Sequence, residues 1–317
     1  VSVVLPVAAD VLAAAERIRG LVHRTPVMTS RSIDAVAGTR LFFKCENLQR
    51  VGAFKYRGAT NAVLSLTTEQ ASRGVCTHSS GNHAQALALA ARERGIEAHI
   101  VMPRTAPSVK VAAVKGYGAQ TAFCEPTLAA REKGIAEVQT RTGATFVHPY
   151  DDPLVIAGQG TAALELLEEV PDLDVIMAPV GGGGLLSGTC LAAHHISPDI
   201  RVIAAEPQGA DDAYRSWREG RLIPSVNPST IADGLLTSLS ERTFGVIRRH
   251  VDRIVTVSDA EIIDAMRWVW ERMKLIVEPS AAVPLAAILS GEAQVKNLRV
   301  GVIFSGGNID LQRLPWR

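Results

Sequence analysis

The chain has 317 residues, 47% of them hydrophobic and 21% charged, with a formal net charge of +1. That length supports one large domain or two moderate ones, with ample core. Near-neutral charge gives no electrostatic basis for binding nucleic acid or an anionic membrane, and no apolar run approaches the ~18 residues a transmembrane helix needs. Val1 to Asp10 carries no basic n-region, so a secretory signal is not expected. Cys45, Cys76, Cys124 and Cys190 are scattered without C-x-x-C spacing, which predicts free thiols in a reducing compartment. The expectation is a soluble, cytoplasmic globular enzyme.

Short β-branched runs alternate with helical ones, the pattern of parallel sheets flanked by helices. Ala9 to Arg19 reads as a helix stopped by Gly20, and Leu41 to Cys45 as a strand leading into Gly52-Ala53-Phe54-Lys55-Tyr56-Arg57-Gly58. A compact unit follows. Its strands are Gly74 to Thr77, Ala98 to Met102 and Ala119 to Phe123, and its helices Asn82 to Arg94, Ser108 to Lys115 and Leu128 to Thr142. Phe146 to Pro153 returns the chain to a larger body. Asp174 to Val180, Arg201 to Ala205, Arg253 to Val257 and Arg299 to Phe304 are its expected inner strands. Ser258 and Glu261 form a capping box opening a helix from Asp259 to Lys274.

Three stretches carry chemistry. Gly181 to Gly184 lie between an apolar strand and a helical run, Leu185 to His195, so backbone N–H groups can converge on an anion at a helix N-terminus. Ser187 stands where a dinucleotide fingerprint needs glycine, and Gly188 is followed by Thr189 and Cys190 rather than Lys-Ser/Thr. Both nucleotide motifs fail, and a small phosphate monoester fits best. Lys55 is a candidate for imine formation with an aldehyde cofactor if burial and a nearby cation, Arg57, lower its pKa. Ser79-Ser80-Gly81-Asn82-His83 offers hydroxyl, amide and backbone donors for a carboxylate; as a plain alternative, Ser80 caps the helix.

Together these stretches resemble the lysine, the asparagine loop and the phosphate cup of the fold-type II pyridoxal-phosphate enzymes. Within that group the chain is similar to the serine racemase and serine/threonine dehydratase (ammonia-lyase) branch. His148-Pro149-Tyr150-Asp151, Ala157 to Thr161, Ile231 to Gly234, Arg272 to Lys274 and Glu278-Pro279 extend the likeness over nearly the whole chain. Val51 departs from it, standing where the family usually has threonine. The resemblance implies a tryptophan synthase β-like α/β fold with two domains, each a twisted, mostly parallel sheet flanked by helices. The large domain is expected over 1–52 and 147–317, the small one over 53–146.

The resemblance also implies roles. Lys55 binds pyridoxal 5'-phosphate covalently and removes the Cα proton from the si face, while Ser80 serves the opposite face. Phe54, Asn82, Gly181, Gly182, Gly183, Gly184, Leu185, Gly234 and Ser305 surround the cofactor. Ser305, a neutral partner for the pyridine nitrogen, favours prompt elimination or reprotonation over aminotransferase chemistry. Ser79, Ser80, Gly81, His83, Arg131 and Thr237 line the substrate, with His83 more structural than catalytic. Glu206, the Ala210 carbonyl and Asp212 match a structural cation site for Mg²⁺, or Ca²⁺ or Mn²⁺. The implied activity is conversion of L-serine or L-threonine to 2-oxo acid and ammonia, with serine racemisation, in a homodimer. The alternatives are L-threo-3-hydroxyaspartate dehydration, cysteine synthase-like β-replacement, and a non-catalytic binder whose phosphate cup holds a nucleotide.

Overall fold

The computed structural model describes residues 3–79, 81–106 and 108–316. Its strands are β1 (Val27–Met28), β2 (Arg40–Cys45), β3 (Val75–His78), β4 (Ala98–Pro103), β5 (Gln120–Cys124), β6 (Thr145–Phe146), β7 (Val175–Pro179), β8 (Arg201–Pro207), β9 (Arg253–Val257) and β10 (Arg299–Phe304). They form two sheets, one ordered β1-β2-β10-β7-β8-β9 and the other β5-β4-β3-β6. Neighbours run parallel throughout, except that β1 is antiparallel to β2.

All five residues of β7 are buried, as expected of a parallel strand covered on both faces. Alternate residues divide between two cores. Val175, Met177, Ile203, Val255 and Val302 face the helix Pro279–Leu289. Ile176, Ala178, Val202, Ile254 and Ile303 face the helices Pro153–Glu169 and Gly184–Ile196. Among the described residues, no helix is long and apolar enough to cross a membrane.

The expected helices Asn82–Arg94 and Leu128–Thr142 form with those bounds, as do strands β9 and β10. Ser258 caps Asp259–Trp268 in a box with Glu261, but the α-helix ends six residues early. A π-turn over Val269–Met273 follows, and Lys274 then takes a left-handed φ of 59°. The helix Pro153–Glu169 was not expected. It is buried on nearly every side, so no polar stripe marks its period. The lysine stretch likewise turns out to open a helix, Lys55–Leu64, with Lys55 as its first residue.

Candidate cofactor and active site

Lys55 is placed by the helix it begins. One turn of that helix is fixed from below by Arg57, whose guanidinium is fully buried between Glu46 (Nε–O 2.7 Å) and Glu165 (Nη1–O 2.7 Å). Lys44 Nζ closes the cluster on Glu165 at 2.6 Å, giving two cations against two carboxylates. The helix sits close to its neighbour because Gly58 faces Gly158, where an added Cβ would meet Gly58 Cα at 2.6 Å. Lys55 Nζ donates to the Pro149 carbonyl at 2.7 Å and stands 5.1 Å from the Phe54 ring centroid. Burial pushes its ammonium down to about 8, with Glu278 pulling the other way. Arg57 is therefore not the cation that activates Lys55. Its charge is matched by Glu46 and Glu165, and desolvation alone lowers the lysine.

The glycines Gly181 to Gly184 turn from β7 into the helix Gly184–Ile196, with Gly183 at φ 83°. Each is hemmed in by a neighbouring segment. An added Cβ would meet Leu235 Cα at 2.9 Å from Gly181, the Tyr150 ring at 2.3 Å from Gly182 and Leu239 Cδ2 at 2.8 Å from Gly183. From Gly184 it would meet Tyr150 Cβ at 3.0 Å. Gly181 to Gly183 leave no room for a Cβ and Gly184 little, and the helix N-terminus behind the turn favours an anion there.

The turn after β10 meets the lysine segment directly. The Phe54 amide donates to the Ser305 carbonyl at 3.0 Å, and Gly307 N–H to the Gly52 carbonyl at 2.9 Å. Ser305 is buried at the carboxyl end of its strand. Asn308 Nδ2 then bridges the Val51 carbonyl (2.7 Å) and Asn82 Oδ1 (2.9 Å). Asn82 Nδ2 donates to Glu278 at 2.9 and 3.2 Å. Burial raises the Glu278 carboxyl to about 7, with Asp233 adding to the rise. Glu278 and Asn308 carry no signal in the sequence beyond their place in family motifs, because the contacts that unite them span 226 and 196 positions.

The substrate candidates are less uniformly gathered. Gly81 precedes the helix Asn82–Arg94 as its N-cap without a side-chain bond, and its amide donates to Ser79 Oγ at 3.3 Å. Ser80 lies outside the described residues. His83 donates through Nε2 to the Val147 carbonyl at 3.1 Å, leaving Nδ1 buried without a partner. Burial, and then Lys55, hold its pKa well below the ordinary value. Arg131 reaches the His78 side of the small sheet, with its Nε buried and unpartnered. Gly234 and Thr237 are exposed on one loop, and Gly234 N–H donates to Ser280 Oγ at 3.0 Å.

The sequence profile of the family "Pyridoxal-phosphate dependent enzyme" matches residues 18–306. The chain belongs to that family. It is 54% identical to the beta-hydroxyaspartate dehydratase of Paracoccus denitrificans, over 98% of this chain and 99% of the relative. The crystal structure of serine racemase from Dictyostelium discoideum superposes with a TM-score of 0.93 at 50% identity, covering 96% of this chain and 99% of that one. The crystal structure of a T.th. threonine deaminase superposes with a TM-score of 0.92 at 44% identity, over 96% and 99%.

The residues present fit pyridoxal phosphate. A lysine amine lowered to about 8 donates to Pro149, whose neighbour Tyr150 packs on a glycine turn with little or no room for a Cβ. A divalent cation is a weaker match. Among the described residues no three metal-ligating side chains converge, so carbonyl and water ligands would be needed. Yet Glu206 and Asp212 are fully buried rather than on an exposed turn, and neither Asp212 oxygen has a hydrogen-bond partner. Glu206 accepts from the Ala213 and Tyr214 amides at 3.0 and 2.8 Å.

Proposed function

We propose that this protein is a pyridoxal-phosphate-dependent ammonia-lyase acting on small β-hydroxy amino acids, L-serine and L-threonine among them. The carrying observation is the desolvated Lys55 amine tied through Pro149 and Tyr150 to the glycine turn, in a chain whose relatives are named for dehydration, deamination and racemisation. When bound, pyridoxal phosphate supplies an aldehyde that captures the amino group and a ring that withdraws electrons from Cα. Gly181 to Gly184 would hold its phosphate, Phe54 and Asn82 would border its ring, and Ser305 would serve its nitrogen. Lys55 Nζ, once free as an amine, takes the Cα proton. Ser79, Gly81 and the helix start at Asn82 receive the substrate carboxylate, with Arg131 and Thr237 at the entrance. Ser80 delivers a proton on the opposite face, giving racemisation beside elimination.

The identity to the Paracoccus beta-hydroxyaspartate dehydratase supports 3-hydroxyaspartate as a second substrate, with the L-threo isomer as the form to test. Glu206, the Ala210 carbonyl and Asp212 would hold Mg²⁺, or Ca²⁺ or Mn²⁺, in a structural role: the buried Asp212 oxygens lack any other partner. The two sheets support a division into a large domain, 1–52 with 147–317, and a small domain, 53–146. We place the enzyme in the cytoplasm as a homodimer. Product analysis tests the reading. Pyruvate, 2-oxobutyrate and oxaloacetate, each with one ammonia, are expected from the three substrates, and D-serine from L-serine. Cofactor-loaded protein that releases no ammonia from any of them would overturn it, and cysteine formed from acetylserine and sulfide would point to β-replacement instead.

A further inference from the structure

Tyr150 has no role in the site described so far, yet it packs directly on the glycine turn. A Cβ on Gly182 would lie 2.3, 2.4 and 2.6 Å from Cγ, Cδ1 and Cδ2 of its ring, and one on Gly184 would lie 3.0–3.1 Å from its Cβ, Cα and carbonyl oxygen. The neighbours of Tyr150 are equally engaged. Pro149 gives its carbonyl to Lys55 Nζ at 2.7 Å. Asp151 is gripped by Arg242, which donates to its carbonyl at 2.9 Å and to its carboxylate. The Asp151 amide donates to His148 Nδ1 at 2.8 Å, which fixes the near end of the segment. Arg242 itself belongs to the helix Glu241–His250, whose Thr243 and Ile247 press on Gly183. Three consecutive residues thus touch the lysine, the glycine turn and an anchoring arginine.

We propose that Tyr150 is a cofactor-positioning residue, its ring bracing the glycine turn so that the phosphate site and Lys55 Nζ keep a fixed separation. A turn of four glycines has wide conformational freedom, and any freedom left in the folded state is lost again when an anion binds. A rigid ring against Gly182 removes that freedom beforehand. Because Pro149 holds Lys55, the same segment sets both ends of the cofactor. The contacts on Gly182 come from ring carbons, so the phenol hydroxyl is not needed and phenylalanine should serve.

This inference rests on the reading of Gly181 to Gly184 as a phosphate site, and the test separates the two. Enzyme stripped of cofactor is titrated with pyridoxal phosphate and with pyridoxal, which lacks the phosphate. Binding is followed by absorbance and by the mass of the borohydride-fixed adduct on Lys55. Wild type and Tyr150→Phe should prefer the phosphorylated form equally. Tyr150→Ala should lose about tenfold or more of that preference, with pyridoxal affinity nearly unchanged. An undiminished preference in Tyr150→Ala overturns the role of Tyr150 alone, whereas a wild type without preference overturns the phosphate site and this proposal together. Gly182→Ala should weaken pyridoxal phosphate binding, and adding Tyr150→Ala should recover part of the loss by removing the clash. Absence of recovery also overturns the proposal. If Tyr150→Ala does not fold, Tyr150→Leu, which fills volume without a planar ring, is read in the same way.

Discussion

The two sheets are built differently. On the six-stranded side the inner strands are buried on both faces, and each glycine of the turn is pressed by a neighbouring segment. Arg57, Lys44, Glu46 and Glu165 form a charge-balanced cluster beneath the lysine helix. On the four-stranded side β5 is largely exposed, and His83 Nδ1, Thr77 Oγ1 and Arg131 Nε are buried without partners. Unpaired buried polar atoms are costly unless a ligand or water satisfies them. Around the proposed cofactor site the buried charges are paired, so that wall is braced before anything binds; the proposed substrate wall keeps buried polar atoms free for a ligand, as Asp212 does at the proposed cation site.

The largest effect should come from the point where the two sides meet. Lys55→Ala removes the amine that captures the cofactor and takes the Cα proton. Loss of the general base alone costs ~10²–10⁴-fold in turnover, read as ammonia release; more than a tenth of wild-type activity remaining would remove Lys55 from the mechanism. In wild type, cofactor attachment should slow as pH falls below about 8, since the reacting form is the neutral amine and Lys55 titrates near that value. A rate independent of pH from 6 to 9 would contradict this.

Ser80→Ala tests the substrate wall. Racemisation needs a second proton donor and elimination does not, so D-serine formation should fall ~10²-fold or more while pyruvate falls much less. Parallel loss of both would remove Ser80 from the proton transfer.

The cofactor wall should fail through stability instead. Arg57→Met leaves two buried carboxylates against one lysine, and breaking such a cluster from one side typically costs about 3–5 kcal/mol. Urea unfolding measures it, and Arg57→Lys should recover only part. A change below 1 kcal/mol would mean that the cluster is not what holds the lysine helix.

A smaller effect is expected at the cation site. Chelation should lower Tm in wild type, by the equivalent of about 2.7 kcal/mol where the ion stands at 100-fold over its Kd. Glu206→Gln should erase most of that sensitivity; equal sensitivity in the mutant would put the ion elsewhere. The smallest effect concerns Val51, a β-branched residue at φ 56° beside the lysine segment. Val51→Gly relieves that backbone and should be stabilising by up to about 1 kcal/mol in urea. Destabilisation instead would show that the packing of Val51 against the small core outweighs its backbone strain.

By itself the sequence determined whatever is local. Strands β9 and β10 and the helices Asn82–Arg94 and Leu128–Thr142 follow from short-range periodicity, and the box at Ser258 and Glu261 fixes where its helix begins. Lys55 and Gly181 to Gly184 were legible because their chemistry depends on a few consecutive residues. The tertiary structure decided the rest. The helix Pro153–Glu169 has no polar face because the fold surrounds it, so its period is invisible until its neighbours are in place. Proximity in sequence makes Arg57 the expected cation beside Lys55, but Glu46 and Glu165, 11 and 108 positions away, take up its charge. The same holds for Tyr150, Glu278 and Asn308. Each owes its place to contacts between segments far apart in the chain, which the periodicity of the residues around it does not report.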